Sequence, residues 1–384
     1  MSVVRVTEPA DGHRYRPEDG GHRAAIIGTG FMARVHARAV RAAGGRVVGV
    51  VGSSLHRAET ALPDVGAERA FADLADLMDT VDVDVVHVCT PNHLHAPLVH
   101  TALAAGAHVV CEKPLATDSA TAAAMTEAAR ATGRVAVVPF VYRFHPMVRE
   151  ARERVRLGEV GTLSLAHGSY LQDWLLRPAD DNRRVDPRLG GSTRAFGDIG
   201  SHWCDLLEFV TGDRIVRLSA QTSTVNAHRG VATARAVRTE DIVTVQFGTA
   251  GGVVGAVVVS QVSAGRKNRL LLEVSGSDAS LCFDQENPEL LWWGGRERSS
   301  QLVRDPDTLS PPAARYARVP AGHPQGYQDC FNAFVADTIT AIESGADGLI
   351  PDGLPTFDDG LRGARLADAV VASAREQAWV EVAS

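Results

Sequence analysis

Between residues 23 and 140, short, mainly apolar runs at 24–27, 47–51, 85–89, 108–111 and 135–140 alternate with longer Ala-rich amphipathic stretches. Those stretches cover 32–43, 57–62, 74–78, 95–105 and 119–132. A strand that is apolar throughout is buried on both faces, and a helix between two such strands makes a parallel crossover. The pattern predicts a doubly wound, Rossmann-type parallel sheet over residues 23–145. After an amphipathic stretch at 147–157 the period changes. Runs at 161–170, 215–224, 241–247, 252–259, 269–276 and 280–284 succeed one another across Gly-, Ser- and Asn-containing turns, as in a mostly antiparallel sheet. A polar loop is expected over 171–196, with helices over 200–210, 327–344 and 356–377. The fold class is α/β: a Rossmann domain over 23–145, then an α+β domain over 146–384 with a large, open, mostly antiparallel sheet. Residues 1–22 mix charge, Pro and Gly and read as a flexible extension without an apolar signal core.

Composition narrows the function classes. A chain of 384 residues exceeds one ordinary core. A net charge of −7 argues against nucleic-acid binding, and no apolar run reaches bilayer length. The five cysteines are scattered without a C-x-x-C pair, which speaks against a disulfide framework or a zinc site and for a cytoplasmic location. His93 and His95 lack a third ligand at helical spacing, so no metal is expected. Lys113 and Lys267 are the only lysines in an arginine-rich chain. Arginine cannot usefully titrate, so a lysine kept at a strand end points to chemistry.

Gly28-Thr29-Gly30-Phe31-Met32-Ala33 follows the first apolar run and opens the first helix, a G-x-G-x-x-A pattern in its required setting. Gly28 permits the tight turn, Gly30 admits a pyrophosphate, and Ala33 keeps the helix close to the strand. A nicotinamide dinucleotide, NAD(P), is the expected cofactor. After the second strand come Gly52, Ser53 and Ser54, then Arg57, with no carboxylate to repel a 2′-phosphate; this favours NADP(H) over NAD(H).

Two further segments carry chemistry. Glu112-Lys113-Pro114 directly follows a strand, at the carboxyl edge where doubly wound sheets bind ligands. Asp198 and His202 are four apart at a helix start, so they share a face, and histidine has the pKa of a neutral-pH proton acceptor. Tyr142 and Arg143 follow the last Rossmann strand at the domain junction and are candidate contacts to substrate hydroxyls, a hinge or packing role being the alternative. Asp173 and Arg183, in the polar loop, are candidate contacts to sugar hydroxyls.

These motifs occur in an order that resembles the Gfo/Idh/MocA oxidoreductases: the glycine loop, Thr90-Pro91-Asn92-His93-Leu94-His95, Glu112-Lys113-Pro114, and Asp198-x-Gly200-x-His202. The resemblance implies that Lys113, Asp198 and His202 form the catalytic group. It implies that Thr90, Pro91, Asn92, His95, Glu112 and Lys113 line the cofactor cleft, that sugars, anhydrosugars or cyclitols are substrates, and that the large sheet joins a homodimer or homotetramer. In this reading His202 is the general acid/base and Lys113 stabilises the reacting oxygen. Two alternatives remain open at this level: an enzyme that oxidises its substrate only transiently to cleave or eliminate a substituent, and a non-catalytic cofactor-sensing corepressor.

Overall fold

The structure is a computed structural model that describes residues 21–230, 235–345, 348 and 350–383. The extension expected over 1–22 lies, up to residue 20, outside them.

Strands β1 (Arg23–Ile27), β2 (Arg46–Val51), β3 (Ala70–Phe71), β4 (Val85–Val88), β5 (His108–Cys111) and β6 (Ala136–Val137) form a parallel sheet in the order β3-β2-β1-β4-β5-β6. They alternate with helices α1 (Phe31–Ala42), α2 (Leu55–Val65), α3 (Leu74–Thr80), α4 (His95–Ala104) and α5 (Ser119–Thr132). Local chemistry sets the helix ends. Ser54, Asp73 and Asp118 accept hydrogen bonds from the first turns of α2, α3 and α5, and left-handed Gly66 and Gly133 close α2 and α5. The run at 135–140 yields only a two-residue strand, because Pro139 has no N–H to offer a ladder. β3 escaped the sequence reading for the opposite reason: two residues carry no period.

Helix α6 (Pro146–Arg156) leads into a nine-stranded sheet. Its strands are β7 (Leu163–Leu171), β8 (Ile215–Ser223), β11 (Ile242–Thr249), β12 (Val254–Ser260), β13 (Arg269–Gly276), β14 (Ala279–Asp284), β15 (Leu290–Gly295), β16 (Ser299–Val303) and β17 (Val380–Glu381). They lie in the order β16-β15-β14-β13-β7-β12-β11-β8-β17, and every pair except β12–β7 is antiparallel. A separate two-stranded ribbon pairs β9 (His228–Arg229) with β10 (Arg235–Ala236). β15 and β16 were not anticipated from sequence, since Leu290–Gly295 does not alternate and Ser299–Val303 is largely polar.

The loop between β7 and β8 contains α7 (Pro187–Gly190) and α8 (Ser201–Thr211); α9 (Pro311–Ala314), α10 (Tyr327–Glu343) and α11 (Phe357–Glu376) follow the sheet. α10 packs on α1, and α11 packs on both α5 and β8. Phe331 and Phe334 of α10 therefore share a buried cluster with Ala33, Ala37 and Val40 of α1. Trp203, Leu206, Leu207 and Val210 of α8 recur at helical spacing and enter the core over the large sheet. The carboxyl ends of the Rossmann strands thus face the start of α8.

Candidate active site

Gly28 adopts φ +123°, and a Cβ there would stand 2.6 Å from the Cys89 carbonyl oxygen, so the turn after β1 accepts only glycine. A Cβ on Gly30 would meet nothing within 4 Å. Gly30 caps α1 without a side-chain bond, and the first turn carries no acidic residue. Free N–H groups facing open space at a helix start fit a dinucleotide phosphate. Thr90, at the end of β4, has a buried hydroxyl without a hydrogen-bond partner, a further fit for a bound polar group.

The loop after β5 carries Lys113 across to the second domain. Its Nζ donates to the Asp198 carbonyl oxygen at 2.8 Å and to Asp198 Oδ1 at 3.0 Å. Asp198 lies in a widened π-type turn, Phe196–Gly200, directly ahead of α8. Its Oδ2 accepts from Gln261 Nε2 at 2.9 Å, and Arg184 Nε stands 3.5 Å from Oδ1. Burial alone would raise this carboxyl, but Arg184 and Lys113 outweigh it and hold Asp198 well below the usual carboxylate range.

His202, in the first turn of α8, is buried among Phe140, Tyr142 and Tyr170, with ring centroids 5.6, 5.1 and 6.4 Å away. Its Nδ1 has no hydrogen-bond partner. Burial, then the nearby Lys113 charge, push the imidazole well below its ordinary value, with Asp198 pulling the other way. The ring is therefore neutral at neutral pH. Beside it, Tyr142 donates to Tyr170 Oη at 2.6 Å and accepts from Asn268 Nδ2 at 3.1 Å, while Tyr170 donates to Asn268 Oδ1 at 2.8 Å.

Lys113, Asp198, His202 and Tyr142 come together, and the other residues singled out from sequence distribute around them. His95 is fully buried and spans two loops, with Nε2 3.1 Å from the Thr90 carbonyl and Nδ1 3.0 Å from that of Pro114. Asn92 donates to the Gly190 carbonyl at 2.9 Å, tying the cofactor side to the polar loop. Glu112 turns into the core toward His36. Ser54 caps α2 through the Arg57 N–H at 3.3 Å, leaving Ser53 and the Arg57 side chain exposed at the end of β2. Asp173 pairs with Lys267 at 2.7 Å. Arg143 is committed to Asp205 and Asp359 and lines a separate cavity of about 240 Å³ with Glu208 and Arg362. Arg183 is exposed; the arginine at Asp198 is its neighbour Arg184, whose Nε makes no hydrogen bond. Arg184 and Gln261 went unrecognised in the sequence because only the folded loops bring them to Asp198.

The residues that gather here belong to a nicotinamide-dependent oxidoreductase architecture: a glycine-loop phosphate cradle, and a lysine and an imidazole where its strands end. The family model described as "Oxidoreductase family, NAD-binding Rossmann fold" matches residues 22–140, and the "GFO/IDH/MocA C-terminal domain" matches residues 148–282. The chain belongs to the Gfo/Idh/MocA oxidoreductase family. It is 29% identical to a levoglucosan dehydrogenase of Pseudarthrobacter phenanthrenivorans, over 93% of this chain and 97% of that protein. It is 28% identical to an inositol 2-dehydrogenase of Rhizobium meliloti, over 94% of this chain and 99% of that one. A solved levoglucosan dehydrogenase in complex with NADH and levoglucosan superposes with a TM-score of 0.88 at 28% identity, covering 94% of this chain and 99% of that chain.

Proposed function

We propose that this oxidoreductase transfers a hydride between the carbinol carbon of a sugar, anhydrosugar or cyclitol and a nicotinamide dinucleotide. The observation that carries this reading is the Lys113 ammonium, held on Asp198 beside the neutral, aromatic-walled imidazole of His202. The bound dinucleotide supplies the hydride acceptor, or in reduction the donor. Gly28, Gly30 and the start of α1 hold its phosphates, and Thr90 offers a hydroxyl to it. In oxidation, His202 takes the proton of the substrate hydroxyl while Lys113 hydrogen-bonds the same oxygen and stabilises its growing negative charge. In reduction the proton returns from His202 to that oxygen. Asp198, braced by Gln261 and Arg184, keeps the ammonium in place, and Arg184 is set to bind a second substrate hydroxyl.

The end of β2 offers Ser53 and Arg57 and no carboxylate, which favours NADP(H); the solved relative holds NADH. Parallel titrations test this preference, and tenfold tighter binding of NADH would reverse it. The outer face of the large sheet is the surface for a homodimer or homotetramer.

The function is tested by spectrophotometric assay of sugars, cyclitols and anhydrosugars with both dinucleotides. Net cofactor reduction is expected. Lys113→Ala and His202→Ala should each lose roughly 10²–10⁴-fold in turnover while still binding cofactor. Unchanged turnover in either variant would remove that residue from the mechanism.

A further inference from the structure

Behind Lys113 lies a line of buried polar side chains that the hydride-transfer reading does not use. His36, on α1, is fully buried, and its Nε2 stands 3.0 Å from Glu112 Oε1. Its Nδ1 stands 3.0 Å from Nδ1 of His87 on β4. The other Glu112 oxygen, Oε2, accepts the backbone N–H of Lys113 at 3.2 Å. A carboxylate only accepts, so His36 Nε2 carries the hydrogen in that bond, and the two facing Nδ1 atoms share one more. Phe331 of α10 closes over the His36 ring at a centroid distance of 5.0 Å.

A carboxylate buried to this degree needs a donor, and His36 supplies it. The geometry also does something a generic polar core does not require. Glu112 spends one oxygen on α1 and the other on the backbone of the lysine itself. The rotation of the Lys113 peptide is thereby registered to the helix whose start is the glycine loop.

We propose that His36 is a positioning residue: through Glu112 it fixes the backbone of Lys113, so that the ammonium is presented to the reacting oxygen in register with the dinucleotide cradle. His87 supports it by holding the far nitrogen of the ring. The inference rests on the reading of Lys113 as the lysine of the proposed reaction.

Two amide substitutions separate positioning from packing. In His36→Gln the side-chain amide reaches where Nε2 stands and can still donate to Glu112. In His36→Asn the amide reaches only the place of Nδ1, keeping a partner for His87 and abandoning Glu112. His36→Asn should lower kcat about tenfold, the usual scale for loss of a supporting hydrogen bond at a site. The KM for the polyol and the Kd for the dinucleotide, read by fluorescence titration, should stay within about twofold. His36→Gln should remain within about threefold of wild type.

The pH profile supplies a second readout. Glu112 faces His36 from α1, His95 from α4, Lys113 in its own loop, the Cys111 thiol beside it, the Cys89 thiol after β4 and the Tyr327 phenol from α10. Burial pushes both thiols and the phenol up and His95 down, so none of these takes over the role of the His36 donor. In the wild type, burial would raise the Glu112 carboxyl, and His36 is the main group holding it down. Without that donor its carboxyl takes up a proton at a higher pH than in the wild type. His36→Asn should therefore show an acid-side loss of kcat that the wild type lacks, and the double variant His36→Asn/Glu112→Gln should not show it. If His36→Asn does not fold, Glu112→Gln carries the test and should give the same tenfold drop without the new acid limb.

Wild-type kcat in His36→Asn or Glu112→Gln would overturn the proposal. So would equal losses in His36→Asn and His36→Gln with weakened cofactor binding, which would mark a role in packing α1. Turnover that Lys113→Ala abolishes and His36→Asn leaves intact would overturn positioning alone. No polyol turnover by the wild-type chain would overturn the proposed function with it.

Discussion

His202, the base of the proposed reaction, is tuned by what surrounds it. Burial among Phe140, Tyr142 and Tyr170 disfavours the imidazolium, the Lys113 charge disfavours it further, and Asp198 compensates only in part. A base whose pKa is lowered stays available as pH falls and is lost only when acid protonates it below its ordinary value. Oxidation of a polyol should keep its kcat/KM as pH drops through 6.5, the ordinary imidazole value, and decline only below it. A pH–rate profile whose acid limb lies at or above 6.5 would contradict this assignment. Among the residues, Lys113 was legible in sequence because a strand end, a following proline and the scarcity of lysine coincide. Arg184 was not: two adjacent arginines, Arg183 and Arg184, look alike in sequence, and the turn at Asn182, which bonds the Arg184 N–H at 3.0 Å, decides which one meets Asp198.

The elements that present Asp198 are held by two acids that carried no signal in the sequence. Glu240 Oε1 accepts from Thr193 Oγ1 at 2.6 Å and from the backbone N–H groups of Arg194 and Phe196 at 2.8 and 3.0 Å. Asp241 is fully buried between Arg194 and Arg229, and its Oδ2 accepts the N–H of Val225 at 2.7 Å and of Asn226 at 3.1 Å. This pair, just before β11, staples the turn that carries Asp198 and the segment after β8 to the large sheet. Replacing Asp241 by Ala strands two guanidinium groups without their counter-charge, and a loss of about 3–5 kcal/mol is expected, read as a lower urea midpoint for unfolding. The Asp241 carboxyl would be raised by burial, but Arg194 and its other partners hold it below the ordinary value. Its stabilisation is therefore present near neutrality and fades as acid approaches that lowered pKa. Urea midpoints of wild type and Asp241→Ala should converge in acid; a constant gap would show that charge is not the source. Helices and central strands were legible because period and capping act locally. β15, β16 and this staple were not: Leu290–Gly295 does not alternate, β16 is a largely polar edge strand, and ion pairs between distant segments leave no local trace.

Across the whole molecule, the helices cover one face of the nine-stranded sheet and leave apolar side chains on the other. Leu165 on β7 and Val254 on β12 are direct neighbours across the parallel pair and are 40% and 55% exposed; Val258 follows at 41%. A patch of this kind on adjacent central strands fits burial against a second copy. Sedimentation should show a dimer or tetramer, and Val254→Arg should shift it toward monomer; a monomeric wild type at micromolar concentration would sink this expectation. Among the described residues, no helix is long and apolar enough to cross a membrane. The sequence by itself determined the two-part architecture, the glycine cradle and the strand-end lysine, because hydrophobic period, turn chemistry and residue scarcity are properties of short segments. Only the tertiary structure decided which groups surround that lysine: Asp198 through a widened turn, Gln261 from a strand end, Arg184 in place of Arg183, and His36 behind Glu112. These contacts join segments up to 85 residues apart, as between Lys113 and Asp198. Such partners follow from how packed layers bring loops together, and no pattern along the chain encodes them.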